Sequence, residues 1–340
     1  MSGNATYRYT ETAVLSVCGV DAPRVVTSDE FDERLAATLR RVGLRPGLLE
    51  HLAGIRARRW WPEDVSFSDA AAMAGAKALA EAGVDPARVG LLIDTSVSRA
   101  HLEPSAAVAV HDALGLPTSC QNFDLANACL GFLNGMQLAA MMIDSGRIEY
   151  ALVVDGEGAR HTQQVTLDRL CGPDVTRDDV LEQFATLTLG SGAAAMVLGR
   201  VDAHPEGHRV VGGAMRAATQ HHELCIGDLE SMTTDAKGLL DAGMELSRDI
   251  WTDAKAEFDW SEMDRYVVHQ VSKVHTAAMC RTIGIDPARV PLSFPDRGNM
   301  GPAAIPFTLA TQVDTLQTGD RVLLMGAGSG LNACCLELAW

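Results

Sequence analysis

Four turns in this sequence carry side chains that could do chemistry, and each follows a strand-like apolar run. In D-L-A-N-A-C-L-G-F (124–132), Cys129 stands where such a run gives way to a helical one. A thiol at a helix N-terminus feels the positive end of the helix dipole, which favours its thiolate, and the free N–H groups there can receive an oxyanion. The competing reading is a small, inert core residue. His269, in V-H-Q-V-S, closes the run Tyr266-Val267-Val268 just before a helix. An imidazole there can act as acid, base or hydrogen-bond donor in a cleft, or can simply be buried. Asn299 lies in R-G-N-M-G-P (297–302), either as left-handed turn chemistry or as a fixed amide donor for developing negative charge. The loop Gly326-Ala327-Gly328-Ser329-Gly330 follows a strand but precedes another, which argues against a dinucleotide-binding turn.

Two further features stand outside these turns. Glu103 precedes Pro104 at the start of the helical segment 105–116, where a carboxylate complements the helix dipole. Arg56, Arg58 and Arg59, in G-I-R-A-R-R-W-W (54–61), suit either phosphate groups or a solvated face. No zinc-ligand spacing, P-loop or H-E-x-x-H motif is present, so no metal is expected.

The elements that must position these residues alternate along the chain. Strand patterns fall at 89–98, 121–128, 150–158, 192–200, 210–219, 265–272, 288–294, 320–329 and 333–340, and helical ones at 105–116, 130–146, 273–284 and 303–316. Such alternation predicts an α/β fold with buried sheets. The two halves repeat one order of strand, turn, helix and strand, and His204-Pro205-Glu206-Gly207 marks a boundary between 1–204 and 205–340. The acidic stretch 173–182 reads as a solvated loop or helix.

Composition narrows the function classes. Over 340 residues, 47% are hydrophobic and the net charge is −16, which argues against nucleic acid and anionic membrane surfaces as partners. Eight scattered cysteines without a C-x-x-C pair fit a reducing compartment. The N-terminus shows no secretory pattern, and the apolar stretch 130–143 is too short to span a bilayer, so a soluble cytoplasmic protein without a membrane span is expected.

Together the motifs around Cys129, His269 and Asn299 and the closing Gly-rich turn resemble the thiolase superfamily, in its ketoacyl-ACP-synthase-III-like branch. The segments 54–61, 93–107, 123–136, 150–159, 267–278 and 298–306 are similar to those of the head-to-head acyl-CoA condensing enzymes of olefin and β-lactone biosynthesis. The resemblance implies two similar halves in a layered α-β-α-β-α sandwich, a homodimer, and long-chain acyl-CoA substrates with no separate cofactor. It implies Cys129 as acyl acceptor, with His269 and Asn299 completing the site. Gly328, Ser329 and Gly330 would form the oxyanion loop, and Arg56, Arg58 and Arg59 would meet CoA phosphates. It also places the segment of Glu103 across the dimer interface, in the partner's site. Malonyl-using relatives carry an apolar aromatic there and make their carbanion by decarboxylation. An ordinary acyl-CoA has no carboxylate to lose, so its α-proton needs a base, and Glu103 is that candidate. The implied reaction is a non-decarboxylative Claisen condensation giving a 2-alkyl-3-ketoacid, passed to later enzymes of a hydrocarbon pathway. The alternatives are a decarboxylating synthase with malonyl thioester and an inert partner subunit of the same fold.

Overall fold

The runs at 150–157 and 192–200 are buried at every position but Arg200, as strands covered on both faces must be. A computed structural model describes residues 6–340. Residues 1–5, where part of the N-terminal leader question falls, lie outside the described residues.

The first half runs β1 (Thr6–Arg8), β2 (Thr12–Asp21), β3 (Arg24–Thr27), α1 (Ser28–Arg41), β4 (Ala57–Trp60), α2 (Phe67–Ala82), β5 (Val89–Asp94), α3 (Ala106–Ala113), β6 (Gln121–Asp124), α4 (Gly131–Asp144), β7 (Tyr150–Glu157), α5 (Arg160–Leu170), α6 (Arg177–Glu182), α7 (Phe184–Thr188) and β8 (Gly192–Arg200). The second runs β9 (His208–Ala217), β10 (Cys225–Gly227), β11 (Met232–Thr234), α8 (Ala236–Ala254), β12 (Arg265–Val268), α9 (Lys273–Ile283), α10 (Phe294–Arg297), α11 (Ala304–Ala310), β13 (Arg321–Gly328) and β14 (Asn332–Ala339).

The halves share a strand order. The first is β2-β8-β7-β5-β6 and the second β9-β14-β13-β12, each beginning with its own first long strand followed by its last. Antiparallel pairing of β2 with β9 joins them into one ten-stranded sheet, with β1 added on β9. Helices α2 and α3 pack on one face of the first half-sheet, α8 and α9 on the far face of the second, and α4 with α11 lies between. The layers therefore read α-β-α-β-α. The central layer is apolar because α4 buries Phe132, Leu133, Met136, Ala139, Ala140 and Ile143 on one side. No helix among the described residues is long and apolar enough to cross a membrane.

Two expectations need correction. The run 288–294 is not a strand, although β6 fills the matching place beside β5 in the first half. Pro291 has no N–H for a ladder. The Gln270 side chain ties the segment down instead, donating to the Pro291 carbonyl at 2.8 Å and accepting from the Ser293 N–H at 2.8 Å. The strands expected at 89–98, 121–128 and 265–272 stop at Asp94, Asp124 and Val268, because the polar residues beyond them form the turns of the site.

Candidate active site

The chain between β6 and α4 makes a sharp corner at Ala128, the one non-glycine residue with positive φ (45°) among the described residues. That strained backbone sets Cys129 just before the helix, a placement that tends to mark functional turns. Gly131 lets the helix begin hard against β5, since a Cβ there would lie 2.8 Å from the Thr95 carbonyl oxygen. A run of side-chain amides anchors the corner. Asn332 donates to Asn127 (3.1 Å), Asn127 to Asn134 (2.7 Å) and Asn134 to Gln137 (3.0 Å). The turn after β13 is thereby held against the Cys129 corner. A Cβ on Gly328 would sit 3.3 Å from the Cys129 nitrogen, so glycine leaves that amide open to a ligand. Ser329 and Gly330 occupy the β13–β14 turn, each partly exposed.

The thiol is not the ready thiolate that its place before a helix suggests. Burial first, then the charge of Glu157, push its pKa from 9.0 up to about 12, against the opposing pull of its own backbone N–H. A helix terminus supplies at most about 2 kcal/mol, less than the roughly 4 kcal/mol that this rise represents. Cys129 therefore rests as a thiol and needs a proton acceptor.

His269 closes β12 beside β13, on the elements that carry the Gly328 turn. Its backbone N–H donates to the Met325 carbonyl at 2.8 Å, which extends the β12–β13 ladder by one residue. Both ring nitrogens are buried and unpartnered within the chain. Burial, and then the neighbouring His275, hold its pKa down to about 4, so the ring is neutral with a free lone pair at neutral pH. Gly326 brings the two residues' surroundings together: a Cβ there would lie 2.9 Å from His269 Cβ and 3.3 Å from Leu130 Cδ2. A cavity of about 70 Å³, walled by Met244, Met279, Met325 and His275, opens beside the ring.

Asn299 is fixed by three hydrogen bonds. Its backbone N–H donates to the Thr188 carbonyl (2.9 Å), its carbonyl accepts from the Gly190 N–H (2.8 Å), and its Oδ1 accepts from the Gly301 N–H (3.0 Å). With Oδ1 engaged, Nδ2 remains as the donor. The close approach needs glycine at 190, where a Cβ would fall 1.8 Å from the Arg297 carbonyl oxygen.

The sequence reading missed three parts of this site. Asp155 and Glu157 lie at alternate positions of a buried strand and meet Asp94 from β5; burial raises the pKa of all three. Two acids two residues apart in an otherwise apolar run were the available signal. The β10–β11 hairpin brings a second thiol, Cys225, into the electrostatic surroundings of Cys129. The amide run from Asn332 to Gln137 joins residues too distant in sequence to be seen as a set.

The remaining candidates lie elsewhere. Glu103 is exposed on the 99–105 segment, beside Leu102, which is 95% exposed, and the chain does not fold it into its own Cys129 site. Arg58 is a correction: it is fully buried, stacks on Phe31 at 4.3 Å and donates to Ser28 Oγ and the Leu187 carbonyl, so no phosphate can reach it. Arg56 is exposed and grips Asp296 with two nitrogens, and Arg59 pairs with Asp21 at 3.5 Å.

Comparison with known proteins adds to this geometry. Residues 123–218 match the 3-oxoacyl-[acyl-carrier-protein] synthase III model, and residues 254–340 match the model of its C-terminal part. The chain is 45% identical to an acyl-CoA:acyl-CoA alkyltransferase of Xanthomonas campestris, covering 98% of this chain and 99% of the relative. It is 35% identical to one of Shewanella oneidensis, covering 98% and 100%, and 29% identical to a β-ketoacyl-[acyl-carrier-protein] synthase III of Sodalis glossinidius, covering 82% and 85%. Among solved structures it is similar to Xanthomonas campestris OleA with cerulenin bound, at TM-score 0.96 and 45% identity over 98% of each chain. A variant of that OleA with bound lauric acid and lauroyl-CoA matches at the same TM-score and identity, covering 98% of this chain and 100% of the other.

Proposed function

The chain belongs to the 3-oxoacyl-[acyl-carrier-protein] synthase III family, of thiolase fold, and on that footing we propose that it is an acyl-CoA:acyl-CoA alkyltransferase that joins two long-chain acyl groups head to head. The observation that carries this reading is the presence of Cys129, His269 and Asn299 on neighbouring turns, with a carboxylate, Glu103, on an exposed segment, in a chain so similar to two named alkyltransferases.

The chemistry follows from the geometry. Neutral His269 accepts the Cys129 proton as sulfur attacks the first thioester carbonyl. The open Cys129 amide receives the oxyanion. CoA leaves as its thiol, and the acyl group remains on sulfur. A second acyl-CoA then enters, and the Glu103 carboxylate of the partner protomer removes its α-proton. The amide Nδ2 of Asn299 and a His269 N–H stabilise the enolate oxygen. The carbanion attacks the acyl-Cys129 carbonyl and expels the thiolate, which is reprotonated. Hydrolysis of the remaining thioester releases the second CoA and a 2-alkyl-3-ketoacid.

A homodimer accounts for Glu103 standing outside its own site. β6 ends the sheet with an unpaired edge. On the segments next to it, Val97, Leu102 and Val108 are 56%, 95% and 44% exposed, apolar surface suited to a second copy. CoA thioesters serve as substrates with no cofactor, the compartment is the cytoplasm, and the product goes to enzymes that make olefin, ketone or β-lactone. The deciding experiment is incubation with one acyl-CoA and mass spectrometry of the products. A ketoacid with twice the carbon number, or the ketone one carbon shorter, supports the reading. Product formed only with malonyl thioester defeats it, and no acylation at all favours the inert subunit.

A further inference from the structure

Glu157 closes β7 and is only 7% exposed. Its carboxylate reaches across to the turn after β5, where Oε1 accepts the Val97 N–H at 2.6 Å and Oε2 accepts the Ser98 hydroxyl at 2.6 Å. The Ser98 N–H lies within 3.4 Å of both oxygens. On the other side, a Cβ at Gly301 would stand 3.5 Å from the Glu157 carboxyl carbon, and the N–H of Gly301 fixes the Asn299 side chain. One carboxylate thus binds the turn that leads into the Glu103 segment and lies beside the turn that aims the Asn299 amide.

We propose that Glu157 is a positioning residue whose carboxylate sets the Glu103-bearing segment and the Asn299 turn in register for condensation. The inference rests on the alkyltransferase reading and adds to it a residue that touches no substrate. Every group bonded to the carboxylate is a donor. An ionised carboxylate accepts them all, whereas a protonated one points an O–H at N–H groups and loses a bond. The charged groups facing it are Asp155 on its own strand, Asp94 on β5 and Cys129 ahead of α4; Arg297, at the head of the Asn299 turn, pairs with Asp21 at 2.9 Å, and Arg99 after the 97–98 turn leans to Asp124 at 3.6 Å. Burial raises the Glu157 pKa to about 7, opposed by the Ser98 hydroxyl and then the amides of Val97 and Ser98. The hold on the turn is therefore complete above that pH and is lost as pH falls through it. The same charge disfavours the Cys129 thiolate, so the two half-reactions respond to Glu157 in opposite senses.

The test compares wild type, Glu157→Gln and Ser98→Ala as full-length protein with lauroyl-CoA, across the pH range on both sides of neutrality. Acylation is followed by intact mass, condensation by product mass, and Cys129 reactivity by iodoacetamide. In wild type, condensation per acyl-enzyme should fall as pH drops through about 7. Glu157→Gln should remove that inflection and lower condensation about 10²-fold, the cost of a small misplacement, while Cys129 alkylates faster at a given pH. Ser98→Ala removes a group that lowers the Glu157 pKa, so its inflection should move to higher pH; this arm decides the matter if Glu157→Gln does not fold. A wild-type inflection and alkylation rate in Glu157→Gln, or an unmoved inflection in Ser98→Ala, overturns the proposal. A wild type that acylates but yields no condensation product defeats the alkyltransferase reading instead, and the alkylation arm still decides whether Glu157 acts on Cys129.

Discussion

Gly328→Ala adds one methyl group at the point where the oxyanion should form. The new carbon would lie 3.3 Å from the Cys129 nitrogen, 3.4 Å from Leu130 Cγ and 3.5 Å from the Asn127 carbonyl oxygen. These contacts are tight but short of a clash, so the chain should fold with a stability loss near the low end of the roughly 1–3 kcal/mol typical of overpacking. An oxyanion needs to approach a donor nitrogen to about 2.9 Å. A methyl carbon already 3.3 Å from that nitrogen takes up the room for it. Losing one such donor costs about 10²–10³ in rate, or roughly 3–4 kcal/mol of barrier. The assay is the first burst of CoA release on mixing excess enzyme with acyl-CoA, with iodoacetamide labelling as the control. Gly328→Ala should slow the burst by that factor, while the small, neutral reagent, which forms no oxyanion, still labels Cys129. A burst within about threefold of wild type would show that the Cys129 amide is not the oxyanion donor.

The other predictions address the remaining roles. Brief exposure to acyl-CoA should place the adduct on the peptide containing Cys129; recovery on Cys120 or Cys225 would remove Cys129 from its assigned role, and Cys129→Ser should fold yet form no turnover-competent acyl-enzyme. A mixed dimer of one Cys129→Ala chain and one Glu103→Gln chain keeps one intact site if Glu103 acts across the interface, so about half of wild-type activity is expected; near-zero activity would place Glu103 in its own chain's site. Gly190→Ala forces a carbon to 1.8 Å from the Arg297 carbonyl oxygen and should cost about 3 kcal/mol or more, read as a lowered denaturation midpoint with weakened condensation; an unchanged midpoint would mean the Asn299 turn does not depend on that approach.

Periodicity and residue type were enough to read the alternating strands and helices, the burial of the 130–143 helix and the turns that carry Cys129, His269 and Asn299, because those signals are local. Strands covered on both faces must be largely apolar, and a turn that does chemistry must carry its reactive side chain whatever surrounds it. What depended on elements meeting from far apart was not legible. Nothing near Cys129 in sequence raises its thiol pKa; that comes from burial and from Glu157 on β7. Arg58 reads like its exposed neighbour Arg56 until packing encloses it against Phe31. The segment 288–294 carries strand-like apolar residues, yet Pro291 and the Gln270 side chain decide its course. Sequence alone determined which chemical groups are present and which local elements hold them. Tertiary structure decided their protonation and access, because desolvation and charge act through space between residues that the chain order keeps apart.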